Sequence, residues 1–501
     1  MLSVFDHGPP PPCPAPFNMA AHVLGHADMA PDKIALSILG VEEWTYAALK
    51  AAVLGTATGL LQAGAKPGAR ILMRLGNTID FPIAYLGALA AGLVPVPTAA
   101  ALTAREVAPM IATLNPALIL RDGDVACPDN PRIIPIDKLR AMRSLPPADW
   151  HMGDPERAGY IIYTSGTAGK PRAVVHAHRA IWARQMMHRD WYGLRNTDRM
   201  LHAGAFNWTY TLGTGLMDPW TVGATALIPA PETAAQDLPA LIATHRATIF
   251  AAAPGVYRQL LNAQRVPPMP HLRHGLSAGE KLPPATAAKW QQATGTAVYE
   301  AYGMSECSTF ISASPDRPAP ADMLGCPQIG RRIALVGPDG PVPLGEEGTI
   351  AVHRSDPGLM LEYLNAPEET AAKMQGEWFL TGDQGRMNAD HQIAYLGRND
   401  DMMNAGGFRV SPVEVEACLA RFAGITAVGA AEVMIKQDVS VIAAFYTAPA
   451  PLDEAALRGY AQANLARYKQ PRLYIHLPQL PMGANGKILR RALRENFEAT
   501  R

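Results

Sequence analysis

Residues Tyr160 to His178 read Y-I-I-Y-T-S-G-T-A-G-K-P-R-A-V-V-H-A-H. Tyr160, Ile161, Ile162 and Tyr163 are aromatic or β-branched, the composition of a buried strand. Thr164, Ser165, Gly166, Thr167, Ala168 and Gly169 follow as a hydroxyl-rich loop that Lys170 closes. Glycines let backbone N–H groups approach an anion, hydroxyls add donors, and a lysine adds positive charge. That is chemistry for gripping a polyphosphate. The loop is not of the G-x-x-x-x-G-K-[ST] kind, because Pro171 follows Lys170. Taken alone it also fits a surface turn between two strands, so its reading depends on the rest of the chain.

At 501 residues the chain exceeds one ordinary domain, and two or more are expected. Lys+Arg 44 balance Asp+Glu 44, which argues against nucleic acid or an anionic membrane as the principal partner. The cysteines (Cys13, Cys127, Cys307, Cys326, Cys418) are scattered and form no C-x-x-C pair. Free thiols in a reducing cytoplasm fit this pattern better than disulfides or zinc. The N-terminus lacks a basic region and an apolar run, so no signal peptide is expected. No charge occurs between Asp80 and Arg105, long enough to cross a bilayer, but Gly87, Gly92, Pro95 and Pro97 interrupt it. We read it as soluble core, with no membrane span.

The segment to about Pro16 is proline-rich and reads as an extended, loosely held arm. Thr45 fits an N-cap, with Leu49, Val53, Ala57, Leu60 and Leu61 on one helical face. Gly64 to Gly68 ends that helix. A strand (Ala69 to Leu75), a helix (about Ile79 to Ala91) and a strand (Val94 to Val96) follow, the pattern of parallel β-α-β units. A looser, charged stretch, Ile136 to Glu156, precedes the glycine loop. Beyond it, Ala180 to Arg189 reads as helix, Ala224 to Ile228 as strand, Leu238 to His245 as helix and Ile249 to Ala253 as strand, a second parallel α/β region. Gly325 to Val352 reads as short strands with turns at Pro338-Asp339-Gly340 and Gly345 to Gly348, a small β-barrel or distorted sheet. From about Arg398 a compact α+β domain is expected. The fold class is thus α/β: two parallel α/β subdomains and a small β-barrel in residues 1–397, then a small α+β domain in 398–501.

Four further stretches carry chemistry. Tyr299 to Glu306 (Y-E-A-Y-G-M-S-E) sets an aromatic beside a glycine, which can sandwich a flat base, and a carboxylate that can hold phosphate-bound Mg²⁺; it also fits an ordinary helix start. Trp378 to Asp383 reads W-F-L-T-G-D, and Tyr395 to Glu416 reads Y-L-G-R-N-D-D-M-M-N-A-G-G-F-R-V-S-P-V-E-V-E, with Ser411 as N-cap and Pro412 in the first turn. Met482 to Arg491 reads M-G-A-N-G-K-I-L-R-R.

Y-T-S-G-T-A-G-K-P-R closely resembles the phosphate-binding signature of the adenylate-forming superfamily, which includes acyl-CoA synthetases, luciferases and peptide-synthetase adenylation domains. The other stretches resemble its later motifs in order, between residues 160 and 491. The resemblance implies nucleotide contacts from Thr164, Ser165, Gly166, Thr167, Gly169 and Lys170. It implies adenine contacts from Gly279, Glu300, Ala301, Tyr302, Gly303 and Ser305, a ribose contact from Asp383, and Mg²⁺ binding by Glu306. Leu276 to Glu280 resembles the loop that touches adenine and acyl group, which brings in Ala278. Arg398 matches the arginine contacting the nucleotide, Arg409 the one near the phosphates, Asp400 the hinge, and Gly406 and Gly407 the passage for pantetheine. Lys487 matches the lysine between the attacking carboxylate and the α-phosphate; with Arg398, Arg409 and Thr164 it makes up the implied catalytic set. Departures are small: Ala168 for a commoner threonine, Arg172 and Ala173 for Lys-Gly, and Asn485 where serine or threonine is usual.

Phe206 to Gly215 occupies the substrate-lining position. Its W-x-Y-x-L-G-x-G pattern resembles the F-x-Y-x-L-G-x-G of benzoate-CoA-ligase-like enzymes, so Phe206, Trp208, Tyr210, Ala278 and Met304 are the implied acyl contacts. Trp208 and Tyr210 also fit plain core aromatics. Asn207 stands near where amino-acid-activating domains carry an aspartate, which argues against an amino-acid substrate. Tyr302-Gly303-Met304 lacks the tryptophan of acetate-specific members, which argues for a larger acid.

The implied reaction uses ATP, Mg²⁺ and coenzyme A to activate an aromatic or a short- to medium-chain carboxylic acid as acyl-AMP, with pyrophosphate released. Rotation about Asp400 between the steps would exchange Lys487 for Gly406 and Gly407. The expected partners are the acid and coenzyme A, with the chain a monomer or homodimer. Two alternatives keep the fold: loading of a separate carrier protein, and a non-catalytic nucleotide-binding protein.

Overall fold

The computed structural model describes residues 1–164, 172–262, 266–320, 322–398, 401–405, 408–436, 439–483 and 487–499, with only the backbone at 404, 405, 408, 409 and 439. The chain forms two compact units: residues 5–332 with 352–377, and residues 1–4, 333–351 and 378–501.

In the larger unit, strands Arg70–Arg74, Val94–Pro97, Leu118–Arg121 and Ile133–Pro135 form one parallel sheet. Helix Tyr46–Gln62 is started by Thr45, whose Oγ1 accepts from Ala48 N–H at 3.1 Å. Leu49, Val53, Ala57 and Leu60 are buried as expected, whereas Leu61 is 38% exposed, one residue off that face. The uncharged run after Asp80 is helix Asp80–Ala90, a turn, and strand Val94–Pro97, and both elements are buried throughout. No described helix is long and apolar enough to cross a membrane.

A second sheet lies in the same unit, its neighbouring strands running Met323–Pro327, Ser308–Ser312, Val298–Met304, His274–Ala278, Ile249–Ala252, Arg199–Ala203, Thr225–Ile228, Ile34–Ile38, Glu42–Thr45. From Val298–Met304 to Ile34–Ile38 every pairing is parallel. The strand that opens the glycine loop, Ala158–Thr164, instead pairs antiparallel with Arg172–Ala177, which also pairs with the short strand Glu362–Tyr363.

Two expectations change. The proline-rich arm is held rather than loose: Phe5 and Phe17 are buried, and Trp182 Nε1–H donates to the Pro11 carbonyl at 2.8 Å. Within Ile136 to Glu156, residues Ile136–Met142 form a helix. Its Arg140 and the following Arg143 both pair with the buried Asp80, so charges in the stretch that read as looser are anchors.

In the smaller unit, strands Arg332–Gly337, Glu347–His353, Trp378–Met387 and Ile393–Arg398 are neighbours in that order. The expected turns are present, with Gly340 at φ 120° and Gly345 at φ 89°. Further along, strands Ala427–Lys436, Val439–Thr447 and Leu473–His476 form a sheet, with helices Pro412–Leu419, Glu454–Asn464 and Arg490–Ala499. Ser411 caps the first of these helices through Glu414 N–H at 3.4 Å, and Pro412 opens it.

Candidate active site

Thr164 ends its strand opposite Arg172. Ser165, Gly166, Thr167, Gly169 and Lys170 lie outside the described residues, as do Asp400, Gly406 and Gly407. The stretch Tyr299 to Glu306 is a strand running into a tight hairpin, not a helix start. Val298–Met304 pairs antiparallel with Ser308–Ser312, and the register shifts between Tyr302 and Gly303. A Cβ on Gly303 would stand 2.1 Å from the Ser308 carbonyl oxygen, so only glycine lets the two strands close.

The hairpin is braced by two buried arginines. Arg184 Nη1 donates to Ser308 Oγ at 2.5 Å, and Arg331 Nη2 to the Thr309 carbonyl at 3.1 Å. Each arginine is buried against its own buried carboxylate, Asp218 at 2.6 Å and Asp356 at 2.5 Å. Burial alone would raise the Asp218 carboxyl, but the Arg184 charge overrides it and holds it down to about 2. Glu306 accepts a hydrogen bond from the Tyr363 hydroxyl at 2.7 Å. The Ser305 carbonyl meets His176 Nε2 at 2.7 Å, and the ring of Tyr302 stands edge-on to Phe310 at 5.4 Å. Glu300 accepts from Leu282 N–H at 2.6 Å, and burial pushes its carboxyl up to about 7.

The acyl candidates separate. Tyr210 packs against a buried cluster containing Ala278 and Ala301, and its hydroxyl donates to the Leu276 carbonyl at 3.1 Å. Met304 is half-buried at the end of its strand, and Gly279 has φ 95° directly after Ala278. Trp208 is 36% exposed, whereas Phe206 is buried in the main core against Phe81, ring centroids 5.8 Å apart. His202, edge-on to Tyr210 at 4.6 Å, is buried, and burial pushes its imidazole down to about 3. His202 and Thr211 bring to this region buried side-chain polar atoms that have no hydrogen-bond partner among the described residues.

In the smaller unit, Asp383 stands opposite Arg398 on paired strands, with Arg398 Nη1 3.8 Å from its Oδ1. Gly382 at φ 85° precedes it, and the Thr381 hydroxyl accepts from Asp383 N–H at 3.1 Å. Lys487 is exposed, and its carbonyl accepts from Gly483 N–H at 2.7 Å. Arg409 pairs through its backbone with Asn404.

The sequence reading missed Arg184, Asp218, Arg331, Asp356 and Tyr363. None belongs to a local pattern, since each meets its partner only across the fold. Among the described residues no group of three or more His, Cys, Asp or Glu forms a metal cage. A half-buried carboxylate with one oxygen steadied by a hydroxyl nevertheless suits Mg²⁺, which keeps most of its ligands as water and phosphate. The donor set fits the ion.

The chain belongs to the AMP-binding enzyme family, whose profile matches residues 25–364. Within that family it is an AMP-forming acid–thiol ligase. It is 29% identical to the 3-hydroxybenzoate–CoA ligase of Aromatoleum sp. (strain CIB), over 92% of this chain and 93% of that one. It is 28% identical to the benzoate–CoA ligase of Thauera aromatica, over 98% and 99%. Among solved structures, a benzoate CoA ligase from Burkholderia xenovorans superposes with TM-score 0.85 at 26% identity, over 95% of this chain and 100% of that one. An anthranilate CoA ligase in complex with anthranoyl-AMP superposes with TM-score 0.87 at 26% identity, over 97% and 98%.

Proposed function

We propose that the chain joins a benzoate-like aromatic acid to coenzyme A through an acyl-adenylate. The acid's carboxylate oxygen attacks the α-phosphorus of ATP and pyrophosphate leaves; the coenzyme A thiol then attacks the acyl carbon, AMP leaves, and the thiol proton is released. A carboxylate oxygen is a poor leaving group and AMP a good one, so the first step makes the second feasible. The protein contributes placement and charge.

In this reading Thr164 and the loop through Lys170 hold the phosphates, Tyr302 and its neighbours the adenine, and Asp383 with Arg398 the ribose. Glu306 would hold Mg²⁺, which neutralises phosphate charge. Lys487, with Arg409, meets charge at the reacting centre. Gly406 and Gly407 pass the pantetheine, and the chain divides at Asp400 into 1–397 and 398–501. Trp208, Tyr210, Ala278 and Met304 line the acyl site; Phe206 backs it from the core. The observation that most supports the reading is the glycine-closed hairpin, which sets an aromatic, an apolar methionine and a carboxylate within five residues, Tyr302 to Glu306. The packing of Tyr210 with Ala278 and Ala301 supports a flat acid, as do the relatives named for benzoate and hydroxybenzoate.

The test is acid-dependent pyrophosphate release across aromatic, branched and straight-chain acids, with coenzyme A and a pantetheinylated carrier protein compared as acceptors. Benzoate and hydroxybenzoates are expected to give the highest kcat/KM, with coenzyme A as acceptor. A preference for straight-chain acids overturns the aromatic assignment, and transfer to the carrier alone overturns the acceptor.

A further inference from the structure

The Glu306 carboxylate is one end of a chain of contacts that begins at Arg172. Arg172, the first described residue after that loop, opens strand Arg172–Ala177. This strand carries the short strand Glu362–Tyr363, in register Tyr363 to Val174. The Arg172 guanidinium lies over the Tyr363 ring, 5.2 Å from its centroid, and pairs with Glu369 at 2.7 Å. The Tyr363 backbone is pinned as well, its N–H donating to Thr370 Oγ1 at 3.0 Å. Tyr363 is 1% exposed, so its ring has one seat and its hydroxyl one direction. That direction is Glu306 Oε1, at 2.7 Å, and among the described residues no side chain bonds the other carboxylate oxygen.

We propose that Tyr363, clamped by Arg172, is the positioning residue of the metal site: its hydroxyl takes one oxygen of Glu306 and turns the other toward the Mg²⁺ that accompanies ATP. The proposal rests on the reading of Glu306 given above. Two features of the geometry favour it over packing alone. The bond joins two side chains 57 residues apart in a part-buried setting, and the ring that carries the hydroxyl is itself buried. The cation on the ring belongs to the strand leaving the phosphate loop, so one contact chain ties the loop's exit to the metal carboxylate. Carboxylate ligands are generally oriented in this way by a hydrogen-bonding neighbour, and removing the neighbour weakens metal binding about 10–100-fold.

The experiment titrates Mn²⁺ into the full chain at saturating ATP, followed by electron paramagnetic resonance. ATP binding without metal, in chelator, is measured in parallel by calorimetry. Tyr363→Phe should raise the Mn²⁺ Kd about 10–100-fold while metal-free ATP affinity stays unchanged. Combining it with Glu306→Gln should add no further loss beyond Glu306→Gln alone, because the hydroxyl acts only through that carboxylate. Arg172→Met, which keeps the tyrosine, should raise the Mn²⁺ Kd about 2–5-fold and gives the answer if Tyr363→Phe does not fold.

An unchanged Mn²⁺ Kd in Tyr363→Phe, with Glu306→Gln weakened, overturns the positioning role and leaves the Glu306 assignment standing. An unchanged Kd in both overturns the Glu306 assignment and the inference with it. Parallel loss of metal-free ATP binding and Mn²⁺ binding in Tyr363→Phe reduces the residue to a structural one.

Discussion

The candidate residues of the two units are held in opposite ways. In the larger unit, the hairpin bearing Tyr302 and Glu306 rests on two arginine–carboxylate pairs, Arg184–Asp218 and Arg331–Asp356, every member of which is buried. In the smaller unit Lys487 is exposed, and the Arg398 side chain is 36% exposed beside Asp383. Burying charge is costly and tolerable only with near-ideal pairing, so the first arrangement trades stability for a single geometry. The exposed arrangement leaves charge in contact with water, at little desolvation cost.

The largest effect expected from this contrast is on stability. Asp218→Asn leaves the Arg184 guanidinium buried without its counter-charge and should cost about 3–5 kcal/mol, read from urea unfolding. A loss near that of a surface pair would break the comparison from the larger unit's side. Lys487→Ala should do the reverse: adenylation falls about 10²–10³-fold while unfolding is unchanged. Thioester formation from supplied acyl-AMP should survive, and equal loss of both half-reactions would remove Lys487 from its assigned role.

Glu300 sharpens the comparison through pH. Its folded carboxyl is raised from the usual 4.5 to about 7, so the stability of its protonated form is present below 4.5 and is lost as pH rises to about 7. Glu300→Gln keeps the acceptor for Leu282 N–H and carries no charge. Its stability advantage over the parent should therefore open between pH 4.5 and 7, reaching up to about 3 kcal/mol and then levelling. A pH-independent difference would mean that the carboxyl is solvated. The smallest effect belongs to the smaller unit. Ser411→Ala removes a helix cap and should cost about 1 kcal/mol, with adenylation intact.

What was legible in the chain follows the range of the physics involved. The strand Ala158–Thr164, the Thr45 and Ser411 caps, and the turns at Gly340 and Gly345 depend on neighbours within a few residues, and all were readable. Readings failed where a distant partner changed the meaning of a local pattern. The proline-rich arm looked loose until Trp182 and the burial of Phe5 and Phe17 held it, and the charged stretch after Ile136 looked loose until Asp80 paired with two of its arginines. Tyr299 to Glu306 also fitted a helix start, and its pairing with Ser308–Ser312, which Gly303 permits, makes it a strand instead.

The sequence by itself determined the family and the order of its motifs, because contiguous residues carry their own chemistry: a glycine that bares backbone, a hydroxyl, a lysine after a turn. Tertiary structure alone decided what aims those groups. Tyr363 reaches Glu306 across 57 residues and Arg184 reaches Ser308 across 124, distances at which no spacing rule operates. Only the pairing of strands and the exclusion of water bring such groups within hydrogen-bond range. The same burial that makes those bonds strong makes their partners unreadable from the chain.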